Sequence, residues 1–261
     1  MELPVDRWYR VISTRLSRRE YSAQLPEEDK MARLAQVCRE FSPFPEVRSE
    51  LVQKSPGDVF KGLIGSYGRV NGAPAYIAFI GRMSSTRVQE AGGYTGEGII
   101  LEATALGLAT CWVGGFFRPE SVRKQIDIQE GEKVLSITPV GYAPPEKTRQ
   151  EKIMSGVVRS RVRKPLTALV KGSINAQWMA NALEAARLAP SAQNRQPWRF
   201  RIEKGAVILA ADNSFSPSPI SKRLDCGIAM LHFELGALAG GVAGKWDILP
   251  SPDVARFVYP A

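Results

Sequence analysis

Short apolar runs and longer apolar stretches alternate along this chain, and the same order occurs twice. In the first part, the strand-like run 73–81 (APAYIAFIG) is followed, after a glycine-rich turn, by 98–113 (GIILEATALGLATCWV), whose spacing predicts a buried helix that leads into a strand. In the second part, the strand-like run 206–211 (AVILAA) precedes 227–246 (GIAMLHFELGALAGGVAGKW), which predicts a second long helix. The pattern indicates two related halves.

The segments upstream of these strands support the duplication. Residues 34–43 (LAQVCREFSP) align by pattern with 183–192 (LEAARLAPSA), which places a helix and its exit loop in the same order. Between the halves, 155–172 carries five basic and no acidic side chains, which is typical of a solvated linker or of a phosphate contact. We therefore divide the chain into a first half (1–154), a basic linker (155–172) and a second half (173–261).

Small residues predict close packing of the long helices at the centre of the molecule. Gly236, Gly240 and Gly244 recur every four residues and would share one helix face, where the missing side chains let another backbone approach. The first half offers small residues between 103 and 107 in the facing region. We expect the two halves to meet through these faces.

Composition and charge narrow the class of protein. The 261 residues are 44% hydrophobic and 23% charged, which is ordinary for a globular protein, and the net charge of +9 fits an anionic ligand or partner. The three cysteines lie far apart without C-x-x-C spacing, which favours neither disulfides nor a zinc site and fits a reduced, cytoplasmic setting. We expect neither a secretory signal nor a membrane span, because no segment is long and apolar enough.

Several common site types are poorly supported. The single histidine, His232, lies in an apolar stretch and is expected to be a core residue, which leaves no His-rich metal site and little room for a Ser-His-Asp triad. No P-loop motif is present, and the string 92–98 (GGYTGEG) does not match the Rossmann pattern.

Two polar motifs are better candidates for ligand contact. Arg15, Ser17, Arg19 and Tyr21 form R-x-S-x-R-x-Y just before an amphipathic helix that starts near 26–27. Alternate residues of an extended segment share one side, so basic and hydroxyl groups at this spacing suit phosphate and polyol oxygens.

The second motif is the loop 190–198 (PSAQNRQPW), between a predicted helix over 177–188 and a predicted strand over 198–202. Its prolines stiffen the chain, while Ser191 and Asn194 offer hydrogen-bonding groups that could read the edge of a flat heteroaromatic ring.

Together with two further strings, these motifs resemble the FMN-dependent nitroreductase family, and most of all its internally duplicated "putative TM nitroreductase" branch. The four strings that look like the family's FMN-contacting regions are STRLSRREY, GLATCWVGGF, RKPL and EAARLAPSAQNRQPWRF. In a standard member the proline-serine-asparagine loop follows shortly after R-x-S-x-R. Here the loop at that place, 41–46 (FSPFPE), lacks the asparagine, and the intact loop lies in the second half.

This split arrangement implies a fused, diverged pseudo-dimer. Dimers of the family build each FMN site from both subunits, with the R-x-S-x-R segment from one and the loop from the other. In this chain the first half keeps R-x-S-x-R and W-V-G-G, and the second half keeps the loop. The resemblance therefore implies one FMN site per chain.

By resemblance, the R-x-S-x-R segment would contact the FMN phosphate, ribityl chain and pyrimidine side, and the loop 190–194 would cover the other side of the ring. Arg19 would lie where negative charge develops on reduction, and Gly114 and Gly115 would present a backbone N–H to flavin N5. The full set of expected FMN contacts is Arg15, Ser17, Arg19, Arg69, Trp112, Val113, Gly114, Gly115, Arg161, Arg163, Pro190, Ser191 and Asn194.

Some basic members of this set have competing assignments. Arg69 matches the place of a cation that faces the pyrimidine carbonyl. Arg161 and Arg163 match a basic tail that closes on the phosphate, and Lys147 and Arg149 form a competing K-x-R pair. Solvated surface remains the alternative for both pairs.

The fold implied by the resemblance is α+β: a three-layer α/β/α sandwich with a central mixed, largely antiparallel sheet and two pseudo-symmetric halves, acting as a monomer. The implied function is that of a cytoplasmic oxidoreductase that passes hydride from NAD(P)H through FMN to a nitroaromatic, quinone or similar electron-poor small molecule. No metal, nucleic acid or membrane partner is expected. Two alternatives stay open: a non-catalytic protein that binds FMN or another phosphorylated ligand, and a basic nucleic-acid binder, against which the absence of any recognisable motif argues.

Overall fold

The computed structural model of this chain describes residues 1–54, 56–60, 70–148, 151–153, 156, 162–216 and 218–260. The elements of the first half are α1 (Val5–Val11), α2 (Glu28–Glu40), β1 (Val47–Val52), β2 (Ala75–Arg82), α3 (Val88–Ala105), β3 (Ala109–Thr110), α4 (Pro119–Arg123) and β4 (Glu132–Gly141). Those that follow are α5 (Leu166–Leu169), β5 (Val170–Lys171), α6 (Gln177–Leu188), a 3₁₀ turn (Ala192–Asn194), β6 (Trp198–Glu203), β7 (Ala206–Ala211), α7 (Lys222–Ala239), β8 (Lys245–Ile248) and β9 (Asp253–Val258).

The described strands form two sheets, where the sequence predicted one central sheet. The first sheet has the order β1-β2-β4-β3 and the second the order β5-β6-β7-β9-β8. Among the described strands, those of each half pair within that half, β5 joins the second-half sheet, and all pairs are antiparallel except β5–β6. The strands are mixed and largely antiparallel, as predicted. The strand-to-strand hydrogen bonds, however, form two sheets instead of one shared central sheet.

The two halves repeat one order of elements. A helix, an antiparallel pair of strands, a long helix and two further strands occur in the order α2, β1–β2, α3, β3–β4 and again in the order α6, β6–β7, α7, β8–β9, apart from the short α4. The strand orders β1-β2-β4-β3 and β6-β7-β9-β8 correspond position by position. Both long helices have 18 residues. This correspondence of topology is the structural counterpart of the repeated apolar pattern.

Alternation along β2 shows how the sequence covers both faces of the first sheet. Ile77 and Phe79 belong to the large core that also contains α3, α6 and α7, whereas Tyr76 and Ile80 belong to a smaller core with Val122 of α4. Successive side chains of a strand point to opposite faces, so an uninterrupted apolar run is needed here. The large core contains residues from both sheets and therefore joins the two halves.

The halves meet where α3 crosses α7. A Cβ atom added to Gly93 would lie 2.0 Å from the carbonyl oxygen of Leu224, and one added to Gly227 would lie 2.0 Å from that of Glu90. The backbones can approach this closely only where side chains are absent. Arg223 of α7 also donates two hydrogen bonds, of 2.6 and 2.9 Å, to the buried carboxylate of Glu90.

The glycine-rich string 92–98 lies inside α3, so the predicted turn is wrong. Glycine lowers helix propensity, but tertiary packing overrides that preference here. Added Cβ atoms would lie 2.4 Å from the Trp112 ring at Gly96 and 2.3 Å from the Phe41 ring at Gly98. Bulky neighbours therefore require glycine at these places in the helix.

The predicted role of Gly236 and Gly240 also needs correction. An added Cβ at Gly236 would meet Ala182, and one at Gly240 would meet Trp178, both on α6 of the same half. Gly244 lies beyond the end of α7 and packs on Phe257. These residues do permit close packing, but the spacing alone does not show which helix is the partner.

The basic linker predicted over 155–172 is only in part a linker. Its last residues form α5 and β5, and β5 adds a parallel edge strand to β6 of the second sheet. Residues 155 and 157–161 lie outside the described part of the chain. Within the described ranges, no helix is long and apolar enough to cross a membrane.

Candidate functional site

A cavity of about 480 Å³ lies where the two halves meet. The first half contributes residues 12–17 and 111–116, and the second half contributes 188, 190–194 and the start of α7. Cavities of this size are typical of sites for small molecules and cofactors.

The R-x-S-x-R segment runs beside β3 as an extended chain. The backbone N–H of Arg18 donates to the last carbonyl of β3 (2.9 Å), and Ser17 forms a parallel bridge to the same residue. Arg15, Ser17 and Arg19 line the cavity, whereas the side chain of Arg18 forms an ion pair with Glu151 (3.2 Å). This places the predicted basic and hydroxyl groups on one side.

Arg15 is buried with open hydrogen-bond donors. It is only 8% exposed, and among the described residues its Nε and Nη1 atoms have no hydrogen-bond partner. The nearest carboxylate oxygen, Oε1 of Glu97, lies 3.7 Å from Nε, which is an ion pair beyond hydrogen-bond distance. Buried polar groups are normally satisfied, so these donors indicate a polar ligand.

Positive charge dominates the cavity wall. Among the described lining residues, Arg15, Arg19, Lys147 and Arg163 are cationic and Asp225 is the only acid. Burial lowers the pKa of Arg163 to about 10, and the charges of Arg15 and Arg187 act in the same direction. Because like charges are crowded in a partly buried site, the arrangement favours an anionic ligand.

The loop 190–197 has a strained backbone. Gln193, Asn194 and Gln196 have φ values of 54°, 54° and 48°, in the left-handed region that non-glycine residues rarely adopt. Each such residue costs on the order of 1–3 kcal/mol and persists only where its surroundings enforce it. Strain of this kind is concentrated at ligand-binding sites.

Asp225 at the start of α7 holds this loop in place. Its carboxylate accepts hydrogen bonds from Arg195 Nε (2.6 Å) and from the backbone N–H of Ala192 (3.0 Å). Burial raises the pKa of the Asp225 carboxyl to about 6, although the guanidinium of Arg195 acts in the opposite direction. Within the loop, Ser191 Oγ accepts from the N–H of Gln196 (2.9 Å).

Asn194 ties the loop to the basic segment that precedes α5. Its amide donates to the carbonyl of Val162 (2.8 Å) and accepts from Arg163 Nη1 (3.0 Å). Asn194 therefore lies on the cavity wall and also fixes one of its cations. The sequence suggested direct ligand contact only.

The W-V-G-G segment forms the opposite wall. Trp112, Val113, Gly114 and Gly115 all line the cavity. An added Cβ at Gly114 would lie 2.6 Å from Cδ1 of Ile220, and one at Gly115 would lie 3.0 Å from a ring carbon of the preceding proline. The two glycines therefore let the segment before α7 rest directly on this wall.

A buried network lies behind the cavity. Glu97 of α3 is fully buried and accepts a hydrogen bond from Trp112 Nε1 (2.6 Å) through Oε2. Its Oε1 atom lies 2.9 Å from His232 Nε2, and His232 Nδ1 lies 3.0 Å from the carbonyl oxygen of Ala185. His232 is a satisfied core residue, as predicted, but it hydrogen-bonds across the two halves.

The cavity brings together all the predicted site residues that lie in the described ranges. Eleven of the thirteen line it: Arg15, Ser17, Arg19, Trp112, Val113, Gly114, Gly115, Arg163, Pro190, Ser191 and Asn194. Arg69 and Arg161 lie outside the described residues, as does Arg149. Lys147 and Arg163 line the cavity, so each competing basic pair has one member there. Tyr21 does not line it, because its buried hydroxyl donates to the carbonyl of Arg18 (2.9 Å).

Sequence reasoning missed the contribution of the α7 N-terminus. Ser218, Ile220, Leu224, Asp225 and Ile228 line the cavity, but the predicted helix began only at 227. One local signal was present, because Ser221 caps α7 by accepting from the N–H of Arg223 and an acid follows in the first turn.

The fold is of the nitroreductase class. The crystal structure of a putative nitroreductase from Thermotoga maritima MSB8 has a TM-score of 0.66 and 20% identity, with 96% of this chain and 93% of that chain covered. The family model described as "Putative TM nitroreductase" matches residues 7–237, and the chain belongs to this family.

Other solved structures are more distant. A nitroreductase family protein from Clostridium difficile 630 is 20% identical with a TM-score of 0.47, and 64% of this chain and 98% of that chain are covered. A nitroreductase with bound FMN from Bacteroides fragilis NCTC 9343 is 18% identical with a TM-score of 0.42, and the covered shares are 54% and 93%. No curated protein matches the chain.

Proposed function

We propose that this chain is an FMN-dependent oxidoreductase that takes electrons from NAD(P)H and reduces a nitroaromatic, quinone or similar electron-poor small molecule. Membership of the nitroreductase family supports an oxidoreductase. The observation that carries the choice of cofactor is Arg15, a buried guanidinium with open donors in a cationic cavity of cofactor size. A phosphorylated flavin supplies both the anion that these donors need and a flat ring for the remaining walls.

The residues present fit FMN. Arg15 and Arg163 would hold the phosphate, since charge-assisted hydrogen bonds from guanidinium groups are roughly twice as strong as hydrogen bonds between neutral groups. Ser17 would hydrogen-bond the ribityl chain. The strained loop 190–194 and the segment 112–115 would enclose the ring, with glycine backbone at the closest approach.

FMN supplies the hydride-transfer chemistry when it is bound, and the chain supplies placement and electrostatics. Arg19 would put positive charge beside the pyrimidine side of the ring, which favours a ligand that gains negative charge. Ile220 and Trp112 would exclude water from the ring, because both are large and line the cavity. No acid–base dyad is required of the protein for this chemistry.

The proposal includes a single site per chain, shared by a first half (1–154) and a second half (173–261) that act as a monomeric pseudo-dimer. Arg15 comes from the first half, whereas Pro190 to Asn194 come from the second. In the first-half loop that corresponds to the second-half loop, Phe41 is 2% exposed and packs edge-on against Trp8 at 5.0 Å, so the first residue of that loop belongs to the core. All three cysteines are free thiols, in keeping with a reducing cytoplasm.

Anaerobic reduction of the purified protein tests the proposed function. A yellow protein whose flavin absorbance bleaches on addition of NADH or NADPH, and returns on addition of a quinone, is the expected result. Flavin that stays oxidised with both nucleotides would overturn the enzyme and favour a non-catalytic FMN-binding protein. A colourless protein that takes up no added FMN but binds other phosphorylated compounds would overturn the cofactor itself.

A further inference from the structure

The hydrogen-bond partners of His232 and Glu97 require that these two side chains share a proton. His232 Nδ1 lies 3.0 Å from the carbonyl oxygen of Ala185, which can only accept, so Nδ1 carries a hydrogen. Nε2 lies 2.9 Å from Oε1 of Glu97, and a carboxylate oxygen facing an unprotonated nitrogen would be repelled. One more proton must therefore lie between Nε2 and Oε1.

Two neighbours of Glu97 favour its negative charge. Oε2 of Glu97 accepts the indole N–H of Trp112 at 2.6 Å, and Nε of Arg15 lies 3.7 Å from Oε1. A hydrogen-bond donor and a positive charge both favour an ionised carboxylate. With this shared proton the His232–Glu97 pair has no net charge, and both side chains are fully buried.

This pairing decides the charge that Arg15 presents. Glu97 is the carboxylate nearest to Arg15 that the structure describes. When the shared proton neutralises Glu97, the guanidinium keeps its charge for the cavity. Without the shared proton, as when residue 232 cannot carry one, Arg15 would instead be the counter-ion of the ionised carboxylate, and an anion entering the cavity would meet a neutral pair.

We propose that His232 is a positioning residue for anion binding: its proton neutralises Glu97 and so leaves the charge and open donors of Arg15 available to the phosphate group of the ligand. This inference rests on the proposed function, in which that phosphate belongs to FMN. It also explains why the fully buried pair of Glu97 and His232 joins α3 of one half to α7 of the other directly behind the cavity.

The protonation state can be measured without any cofactor. His232 is the only histidine of the chain, so ¹⁵N NMR of labelled apo-protein shows a single pair of ring nitrogens. Both are expected to be protonated at pH 7. A neutral ring with an unprotonated Nε2 would overturn the proposal, whatever the protein does with flavins.

A pair of variants then tests the link to the phosphate. In His232→Gln the shared proton is lost, and we expect affinity for FMN to fall by about tenfold or more while affinity for riboflavin changes less than about threefold. The double variant His232→Gln/Glu97→Gln also loses the bond to Ala185 but has no uncompensated carboxylate. It should regain most of the FMN affinity.

Flavin fluorescence quenching on apo-protein gives these affinities, and thermal unfolding confirms that each variant is folded. Equal losses for FMN and riboflavin in His232→Gln, or no recovery in the double variant, would reduce His232 to a packing residue and contradict the inference. Wild-type protein that binds no FMN would contradict the proposed function instead, and the NMR result would still decide the protonation state.

Discussion

The basic and hydroxyl side chains of the R-x-S-x-R segment line the cavity, except for one that turns away from it. Arg15, Ser17 and Arg19 face the cavity, and Arg18 faces Glu151 on the other side of the extended chain. Alternation along an extended backbone predicts that Arg15, Ser17 and Arg19 share a side, but it does not account for Leu16, which also lines the cavity. The sequence was not sufficient to predict that Arg15 would be buried beside Glu97, because that contact requires α3 to pass behind the segment.

Arg15→Ala is expected to weaken FMN binding by at least about tenfold, since charge-assisted hydrogen bonds contribute on the order of 1.5–3 kcal/mol each. Riboflavin, which has no phosphate, should lose much less affinity. Titration of apo-protein with both flavins measures the difference. Arg18→Ala is the matched control, and a loss of FMN affinity in Arg18→Ala as large as in Arg15→Ala would show that the phosphate does not face Arg15.

At the scale of elements, α3 and α7 cross and join the two halves. The apolar pattern of the sequence predicted the helices around this crossing only in part. Helix α6 was predicted with the bounds it has, because its apolar spacing is regular and prolines follow its end. The start of α3 was missed, because Gly92, Gly93 and Gly96 are typical of a turn until the neighbours that need the space are known. Local sequence contains no information on those neighbours.

Gly227→Ala is expected to destabilise the protein by about 3 kcal/mol or more, because the new methyl group would meet the backbone of α3 and no side-chain rotation can relieve the clash. Chemical denaturation measures the loss. Gly156→Ala is the control, since no atom of the described residues lies within 4 Å of the Cβ position there and φ is not positive. Equal effects of the two substitutions would mean that α3 and α7 are not in backbone contact.

Glu234 of α7 makes the stability of this crossing depend on pH. Its Oε2 atom accepts the hydroxyl hydrogen of Tyr94 of α3 at 2.8 Å, and burial raises the pKa of Glu234 from 4.5 to about 6. The native state therefore holds the proton more tightly than the unfolded chain does. The stabilising contribution is fully present below pH 4.5 and is lost as the pH rises through 6.

Glu234→Gln keeps an acceptor for Tyr94 and removes the titrating group. We expect the variant to be more stable than wild type by about 1–2 kcal/mol at pH 7 and by much less at pH 4.5, at 1.36 kcal/mol per pKa unit. Urea unfolding at the two pH values measures this, with the exposed Glu2→Gln as control. The same difference in stability at both pH values would contradict the raised pKa.

At the scale of the whole molecule, two halves that share one order of strands both contribute residues to the wall of the cavity described above. The repeat of apolar runs predicted the shared order of elements, and the complementary motifs predicted which walls would meet. The two separate sheets and the contribution of Ser218 to Ile228 could not be predicted, because both depend on how the halves pack. The central claim is therefore that the two halves contribute different walls to one shared site.

The ratio of flavin to protein tests that claim most directly. FMN released from denatured holoprotein is measured by absorbance against protein concentration, and the mass of the native holoprotein is measured by light scattering. One FMN per chain in a monomer is the result that a single cavity shared by the two halves predicts. Two FMN per chain would mean that each half keeps a site of its own, and one FMN per two chains would mean that the site is completed by a second copy.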